Sequence, residues 1–309
     1  MKESENILLD VLYKVVLSSV FLSVTFLTST AAADAQEELK KLPPEYDMIL
    51  AYYGRPGTSR LGVLGQYSPD TLFKKIRAHA ERYEKALKQK HHVTPGIDII
   101  YDLAIKNPGY NRNYLSTLPK KTLLTYIRKA KEYGAVVILD LQLGKKTPAQ
   151  AIRPVLHFLQ YDNVHIALDP EFSVDDLHVP PGRVIGSITG EQVNQVQKLM
   201  SNYLKEHGIK QDKILIVHMF TEKMLSHKSV LGYYDKVHLL MNLDGHGSPA
   251  LKVKIYNGIY TKKRAAQFAG GFKLFFREDK PLMTPEQVLG LKPVGRSRIK
   301  VMPRYINYQ

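Results

Sequence analysis

The sequence has no cysteine among its 309 residues. Disulfides, thiolate metal sites and cysteine nucleophiles are therefore excluded. Tryptophan is also absent, whereas 19 tyrosines are present. The sequence contains no H-E-x-x-H metalloprotease motif and no glycine-rich phosphate-binding fingerprint. These absences give no support to a zinc peptidase of that type or to a nucleotide-binding fold.

Long hydrophobic runs are scarce, and the clearest is VVLSSVFLSVTFL at residues 15–27, followed by TSTAAADA. A run of this length before an A-x-A exit is typical of a secretory signal, because it is short for a membrane span. Acidic residues near the start oppose the positive charges, so an uncleaved N-terminal anchor remains the alternative. We expect residues 1–35 to be the signal peptide or anchor, and residues 36–309 to work as a secreted or cell-surface domain.

The chain is strongly basic, with a formal net charge of +15. Much of the excess lies late, since 13 lysines and arginines face three acids from Lys252 onward. A basic surface raises the local concentration of polyanions. We expect a polysaccharide or an anionic cell-wall polymer as partner, with wall or membrane association through charge. Nucleic acid is not expected, because no recognition motif accompanies the charge. The alternative is that the charge serves solubility alone.

Apolar, β-branched runs alternate with helical patterns throughout the rest of the chain. Near-continuous apolar strands are typical of a parallel sheet covered by helices. Eight such runs predict an α/β fold, a single-domain (β/α)₈ TIM-type barrel followed by a basic C-terminal tail. A doubly wound open sheet is the rival fold, and the missing phosphate fingerprint disfavours it. The predicted strands are residues 47–54, 93–100, 135–142, 164–171, 182–189, 213–221, 236–247 and 271–279.

Polar side chains collect at the carboxyl ends of these predicted strands, where barrel enzymes carry their chemistry. Side chains two residues apart share a strand face, so Asp169 and Glu171 should point together. Buried ionisable groups are costly unless they are paired or used, so the set predicts a site. A structural salt bridge from Lys273 to Asp98 or Asp140 is the competing explanation. The catalytic candidates are Glu171, Asp169, Asp244 and Asp140, and the substrate-binding candidates are Tyr52, Tyr53, Asp98, Gln142, His218, Asn242, His246 and Lys273.

Several motifs carry a family resemblance: YYG…GVLG, ALDPE, PGRVIGS and GFKLFFRED. Together they resemble a family of exported bacterial (β/α)₈-barrel proteins without an established activity, over roughly residues 48–290. The resemblance implies the barrel and export, and it implies no reaction. The Asp-x-Glu that closes the fourth strand is similar to that of chitinase-type and lysozyme-type glycosidases, in which the glutamate is the proton donor. The fuller chitinase pattern has acids where this chain has Ala167 and Val164.

These observations favour a glycoside hydrolase that acts on a cell-wall or extracellular polysaccharide and needs no cofactor or metal. Such enzymes require one protonated and one ionised carboxyl group beside the scissile bond. In this hypothesis Glu171 is the acid, and Asp244 or Asp140 is the nucleophile or base. Asp169 orients Glu171, while Tyr52 and His218 position the substrate.

Two alternatives remain open. The first is a non-catalytic barrel that binds wall polymer. The second is a metal-dependent hydrolase or phosphodiesterase, for which carboxylate and imidazole ligands would be needed. Its candidate ligands are Asp169, Glu171, Asp244, His218 and His246.

Overall fold

The structure, a computed structural model, describes residues 42–174 and 179–309. The predicted signal or anchor at residues 1–35 lies outside these ranges, so its assignment stays a prediction. Within the described ranges, no helix has both the length and the apolar character that crossing a membrane would need.

Eight parallel strands close into a barrel and follow one another around it in chain order. The first strand pairs with both the second and the last, which closes the ring. The predicted (β/α)₈ barrel fold is thereby confirmed. The barrel strands are β1 Met48–Gly54, β2 Val93–Ala104, β4 Val136–Gly144, β5 Val164–Ser173, β7 Lys213–Met219, β9 Val237–Leu243, β10 Ala269–Leu274 and β11 Tyr305–Tyr308.

One predicted strand is wrong. Of residues 182–189, only Ile188–Thr189 (β6) is extended in a ladder, and it pairs with Leu225–Ser226 (β8) in a separate two-stranded sheet. Two prolines precede this run and cannot donate ladder hydrogen bonds. The eighth barrel strand is instead β11. It lies in the C-terminal tail, for which the sequence predicted no definite structure. Its four residues, YINY, are all buried.

Helices and short 3₁₀ segments cover the barrel. Threonines at residues 147, 189 and 284 form capping boxes that fix where three helices begin. A short strand, β3 (Leu115–Thr117), runs antiparallel to β2. The helices are α1 Pro69–Ala86, α2 Lys120–Glu132, α3 Pro148–Ile152, α4 Gly190–Glu206, α5 Pro249–Ile259, α6 Lys262–Ala265 and α7 Pro285–Val288. The 3₁₀ segments are Ser59–Leu61, Val63–Gln66, Arg153–Gln160, Glu222–Met224 and Lys228–Val230.

The barrel interior changes from apolar to polar along the strands. Alternate residues of the strands point inward, and an apolar layer that includes Ile138, Ala167, Ile216 and Leu240 fills the middle. Towards the carboxyl ends the same alternation brings charged and amide side chains inward. This polar layer, rather than the apolar one, forms the floor of the candidate site.

Candidate functional site

The register of the barrel strands places the predicted polar residues at similar heights. Gln142 is the ladder partner of Asp169, and His218 is the partner of Asn242. Tyr53 is likewise the partner of Asp98. Of the twelve residues predicted from the sequence, eleven lie at this mouth of the barrel, which we call the polar mouth. They are Tyr53, Asp98, Asp140, Gln142, Asp169, Glu171, His218, Asn242, Asp244, His246 and Lys273.

Tyr52 is the exception and lies outside the polar mouth. Because side chains alternate along a strand, Tyr53 points into the barrel and Tyr52 points to its outer layer. The Tyr52 hydroxyl lies 3.1 Å from Nδ1 of His79, and its ring packs edge-on against Phe276 and Tyr308. The expectation that Tyr52 positions substrate in the mouth is therefore corrected.

A cavity of about 480 Å³ opens at the polar mouth. Asp169, Glu171, Asp244 and Lys273 line it together with three phenylalanines, one near the end of β5 and two on the loops after β7 and β10. Aromatic rings with polar groups between them suit sugar rings, whose faces are apolar and whose edges carry hydroxyls. The phenylalanines are Phe172, Phe220 and Phe275, and the polar lining also includes Tyr53, Gln142 and His246.

His218 stands at the centre of the polar mouth and is buried. Its Nδ1 lies 3.2 Å from Nδ2 of Asn242 and 3.5 Å from Oδ2 of Asp244. Its Nε2 lies 3.5 Å from Oδ2 of Asp98 and 4.0 Å from Oδ1 of Asp140. Burial opposes the charged ring, but these carboxylates outweigh it and hold the pKa of His218 well above its usual range.

Two residues of β11 hold the carboxylate of Asp98 in place. Its Oδ2 accepts hydrogen bonds from the Tyr305 hydroxyl at 2.8 Å and from Nδ2 of Asn307 at 2.5 Å. Sequence reasoning missed both residues, because the tail was not recognised as a strand. The signal that could have found them is the Tyr-Ile-Asn-Tyr alternation, in which Tyr305 and Asn307 share one face.

Asp140 is buried and does not line the cavity. Its Oδ2 accepts a hydrogen bond of 2.7 Å from the Tyr53 hydroxyl. Burial raises the pKa of Asp140 to about 7, against the lowering effect of His218.

Lys273 lies with Nζ 3.6 Å from the centre of the Tyr53 ring, a cation–π contact. The ion-pair partner of Lys273 is Asp244, which is neither of the two predicted partners. The Nζ of Lys273 lies 3.9 Å from Oδ2 of Asp244, and among the described residues no ion pair joins it to Asp98 or Asp140. The proposed structural salt bridge to those two acids is thus not formed. Lys273 instead supplies a positive charge on the cavity wall.

The carboxylates that line the cavity have unlike surroundings. Burial, followed by the negative charge of Asp244, raises the pKa of Glu171. Burial would raise the pKa of Asp244. The hydrogen bond with His218 and the positive charge of Lys273 outweigh burial and lower the pKa of Asp244. Burial and the charge of Asp140 hold the pKa of Asp169 well above its usual range. Asp169 also accepts a hydrogen bond of 3.1 Å from the Glu171 backbone amide, which fixes the backbone at Glu171.

Beneath the cavity, Asp98, Asp140 and His218 each offer one potential metal-ligand atom, and these atoms lie within 4.8 Å of one another. Of the ligands named for the metal-dependent alternative, only His218 belongs to this group. Asp169, Glu171, Asp244 and His246 line the cavity instead.

No protein-family model matches the sequence, and no curated protein matches it. Among solved structures, the chain resembles a 2,3-dimethylmalate lyase of the PEP mutase/isocitrate lyase superfamily at 9% identity, with a TM-score of 0.39. That match covers 90% of this chain and 80% of the lyase. It also resembles a mannanase of Bacillus subtilis at 12% identity and a TM-score of 0.43, over 91% of this chain and 85% of the mannanase. Likenesses this distant say nothing about activity, and the barrel assignment stands on the strand pairing itself.

Proposed function

We propose that the protein is a carbohydrate-active enzyme that hydrolyses glycosidic bonds in a cell-wall or extracellular polysaccharide. The observation that carries the proposal is that two carboxylates in unlike surroundings, Glu171 and Asp244, line one cavity. Asp244 has Lys273 and His218 within ion-pair distance. Among the described residues, no cation lies within that distance of Glu171.

Glu171 is the general acid in this mechanism. It is half-buried on the cavity wall, and its raised pKa keeps the carboxyl protonated to a higher pH than in water. A protonated carboxyl beside the scissile bond can donate its proton to the leaving oxygen. Asp169 holds the Glu171 backbone and so acts as the positioning residue.

Asp244 is the nucleophile or base. Its partners Lys273 and His218 favour the ionised form, which is the form that attacks the sugar or activates water. We do not assign this role to Asp140, the other candidate, because it is buried, accepts a hydrogen bond from Tyr53 and does not line the cavity. The three phenylalanines at the rim give the sugar ring its apolar contact.

The test compares Glu171→Gln with Asp244→Asn. Glu171→Gln should lower hydrolysis of natural polymer by about 10²–10⁴-fold and should cost much less with an activated aryl leaving group. Asp244→Asn should lose both activities. Glu278→Gln, which alters an exposed carboxylate on the loop after β10, is the matched control and should keep wild-type rates.

Full activity of Glu171→Gln on natural polymer would overturn the assignment of the acid. If the wild-type protein retains polymer without cleaving it, and a mechanism-based covalent sugar probe leaves the chain unlabelled, the non-catalytic binding barrel becomes the better description.

A further inference from the structure

The floor beneath the cavity carries a second cluster, of which the proposed acid–base chemistry uses only the contact of His218 with Asp244. Asp98 on β2, Asp140 on β4 and His218 on β7 meet inside the barrel, and all three are buried. His218 Nε2 lies 3.5 Å from Asp98 Oδ2 and 4.0 Å from Asp140 Oδ1. Ligand atoms about 2.0–2.2 Å from one ion lie up to about 4.4 Å apart, so this spacing suits a bound cation.

A second observation points to a ligand at the same place. Asp98 Oδ1, Asp140 Oδ1 and His218 Nε2 are buried, and none has a hydrogen-bond partner within the part of the chain that the structure describes. Buried polar atoms in folded proteins are nearly always paired. Each side chain of the cluster thus carries one buried atom without a partner: a carboxylate oxygen on Asp98 and on Asp140, and an imidazole nitrogen on His218. They form a donor set for a cation.

The remaining atoms of the same side chains are held in place. Tyr53 donates to Asp140 Oδ2, while Tyr305 and Asn307 donate to Asp98 Oδ2. Metal sites are commonly supported in this manner, with outer groups fixing each ligand and a carboxylate facing the second nitrogen of a ligating histidine. Here that carboxylate is Asp244, 3.5 Å from His218 Nδ1, and Nδ2 of Asn242 lies nearer to the same nitrogen, at 3.2 Å.

The competing explanation is a buried ion pair in which His218 carries a proton on Nε2. Such a proton would form a charge-assisted hydrogen bond, for which nitrogen–oxygen distances of about 2.7–2.9 Å are usual. The nearest carboxylate oxygen is 3.5 Å away. That separation is long for a charged hydrogen bond and is ordinary for two ligands of one ion.

We propose that Asp98, Asp140 and His218 bind a divalent first-row transition-metal ion at the floor of the polar mouth. A donor set of two carboxylates and one imidazole suits Mn²⁺ or Zn²⁺ better than Mg²⁺ or Ca²⁺, which favour oxygen alone. None of the three ligands lines the cavity. The ion therefore neutralises the buried carboxylates and, through His218, positions Asp244, without touching the substrate.

The experiment measures metal binding rather than hydrolysis, so that it succeeds or fails independently of the proposed glycosidase. Full-length protein is stripped with a chelator and titrated separately with MnCl₂, followed by electron paramagnetic resonance, and with ZnCl₂, followed by calorimetry. We expect one equivalent bound by the wild type and a melting temperature that rises with metal concentration.

Asp98→Asn and Asp140→Asn remove one anionic ligand each and keep side-chain shape, and each should weaken binding at least 100-fold. Asp102→Asn is the matched control. Asp102 is also a buried aspartate on β2, but it is bonded to Thr117 and Lys146 and should leave binding unchanged. Circular dichroism of the stripped variants checks that they fold.

The proposal is overturned if the stripped wild type takes up neither Mn²⁺ nor Zn²⁺. It is equally overturned if folded Asp98→Asn and Asp140→Asn both bind as tightly as the wild type, which would place the metal elsewhere. Should both variants fail to fold, the wild-type titration alone still decides whether one equivalent binds.

Discussion

Nδ2 of Asn307 donates a hydrogen bond of 2.5 Å to Oδ2 of Asp98, which joins the last barrel strand to the second. Both residues are buried, and the Tyr305 hydroxyl donates to the same oxygen. The carboxylate thus depends on donors that lie more than half the chain away in sequence. The contact stabilises the closed barrel and fixes the floor of the polar mouth.

Removing one of these donors should destabilise the fold. We expect Tyr305→Phe to lower the free energy of unfolding by about 1–3 kcal/mol, because it leaves a buried acceptor short of a partner. Urea unfolding followed by circular dichroism measures the change. Tyr110→Phe, which alters a fully exposed tyrosine, is the control and should have no effect. Equal stabilities for the two variants would contradict the role of the Tyr305 hydroxyl.

Gly271 leaves room for Asn242. A Cβ at residue 271 would lie 2.6 Å from Oδ1 of Asn242 and 3.0 Å from the Tyr305 ring, both in the packed interior. We expect Gly271→Ala to cost about 1–3 kcal/mol of unfolding free energy through overpacking. Gly258→Ala in α5 meets nothing within 4 Å and should instead stabilise by about 0.5–1 kcal/mol. The opposite signs of the two changes, read from urea unfolding, form the test.

His79 should make stability depend on pH. Burial, aided by the charge of Arg82, lowers the pKa of His79 to about 3, whereas an unfolded histidine titrates near 6.5. Between these values the unfolded chain binds a proton that the folded chain does not. Stability therefore falls as the pH drops below about 6.5, by at most about 1.4 kcal/mol per pH unit.

The His79→Gln variant removes this titration and should lose less stability between pH 7 and pH 4.5 than the wild type. Urea unfolding at the two pH values gives the difference. His207→Gln changes an exposed histidine and should keep the wild-type loss. An unchanged pH dependence in His79→Gln would show that other groups account for the acid sensitivity.

Lys273 should set the alkaline limit of activity if Glu171 is the acid. The groups that act on the Glu171 carboxyl are Asp244, which raises its pKa, and Lys273, His218 and His246, which lower it. Lys273→Met removes a lowering charge, so Glu171 should stay protonated to higher pH. We expect the alkaline limb of kcat/KM to move upward while the rate itself falls.

The control for this profile is Lys292→Met, which neutralises an exposed lysine and should leave the limb in place. A downward or absent shift in Lys273→Met would argue against Glu171 as the group that controls this limb.

The basic surface should bind anionic wall polymer in a salt-dependent manner. Lys262 and Lys263 in α6 are exposed, whereas Arg264 forms an ion pair with Glu222 and so contributes less to a partner. Lys262→Gln with Lys263→Gln should weaken retention on an anionic polymer at low salt, and added salt should weaken the wild type likewise. Co-sedimentation with purified polymer measures both. Retention that does not change with salt concentration would contradict a charge-driven contact.

The sequence predicted the barrel because parallel strands covered by helices need apolar runs in regular alternation with helical patterns. It predicted most of the polar mouth because alternation along a strand decides which side chains point together. The same rule could not tell which of the two neighbouring tyrosines, Tyr52 or Tyr53, points into the barrel. That choice depends on which face of β1 turns inward, and the residues themselves are identical.

The last strand was missed for a different reason. Tyr305–Tyr308 is only four residues long and follows a polar, basic segment, so its local pattern is weak. Its place depends on long-range pairing with β1 and β10, which sequence spacing does not reveal. The run at residues 182–189 had a stronger local pattern, yet the prolines before it and the barrel pairing already made by β5 and β7 left it outside.

The position of β11 also links the order of synthesis to solubility. As the chain emerges, β1 and β10 are made before the four residues that pair with both of them. A nascent or truncated chain that stops before residue 305 exposes two unpaired hydrophobic strand edges, which are templates for aggregation. Synthesis of β11 thus converts an open sheet with two exposed edges into a closed ring, and the same residues complete the floor of the site.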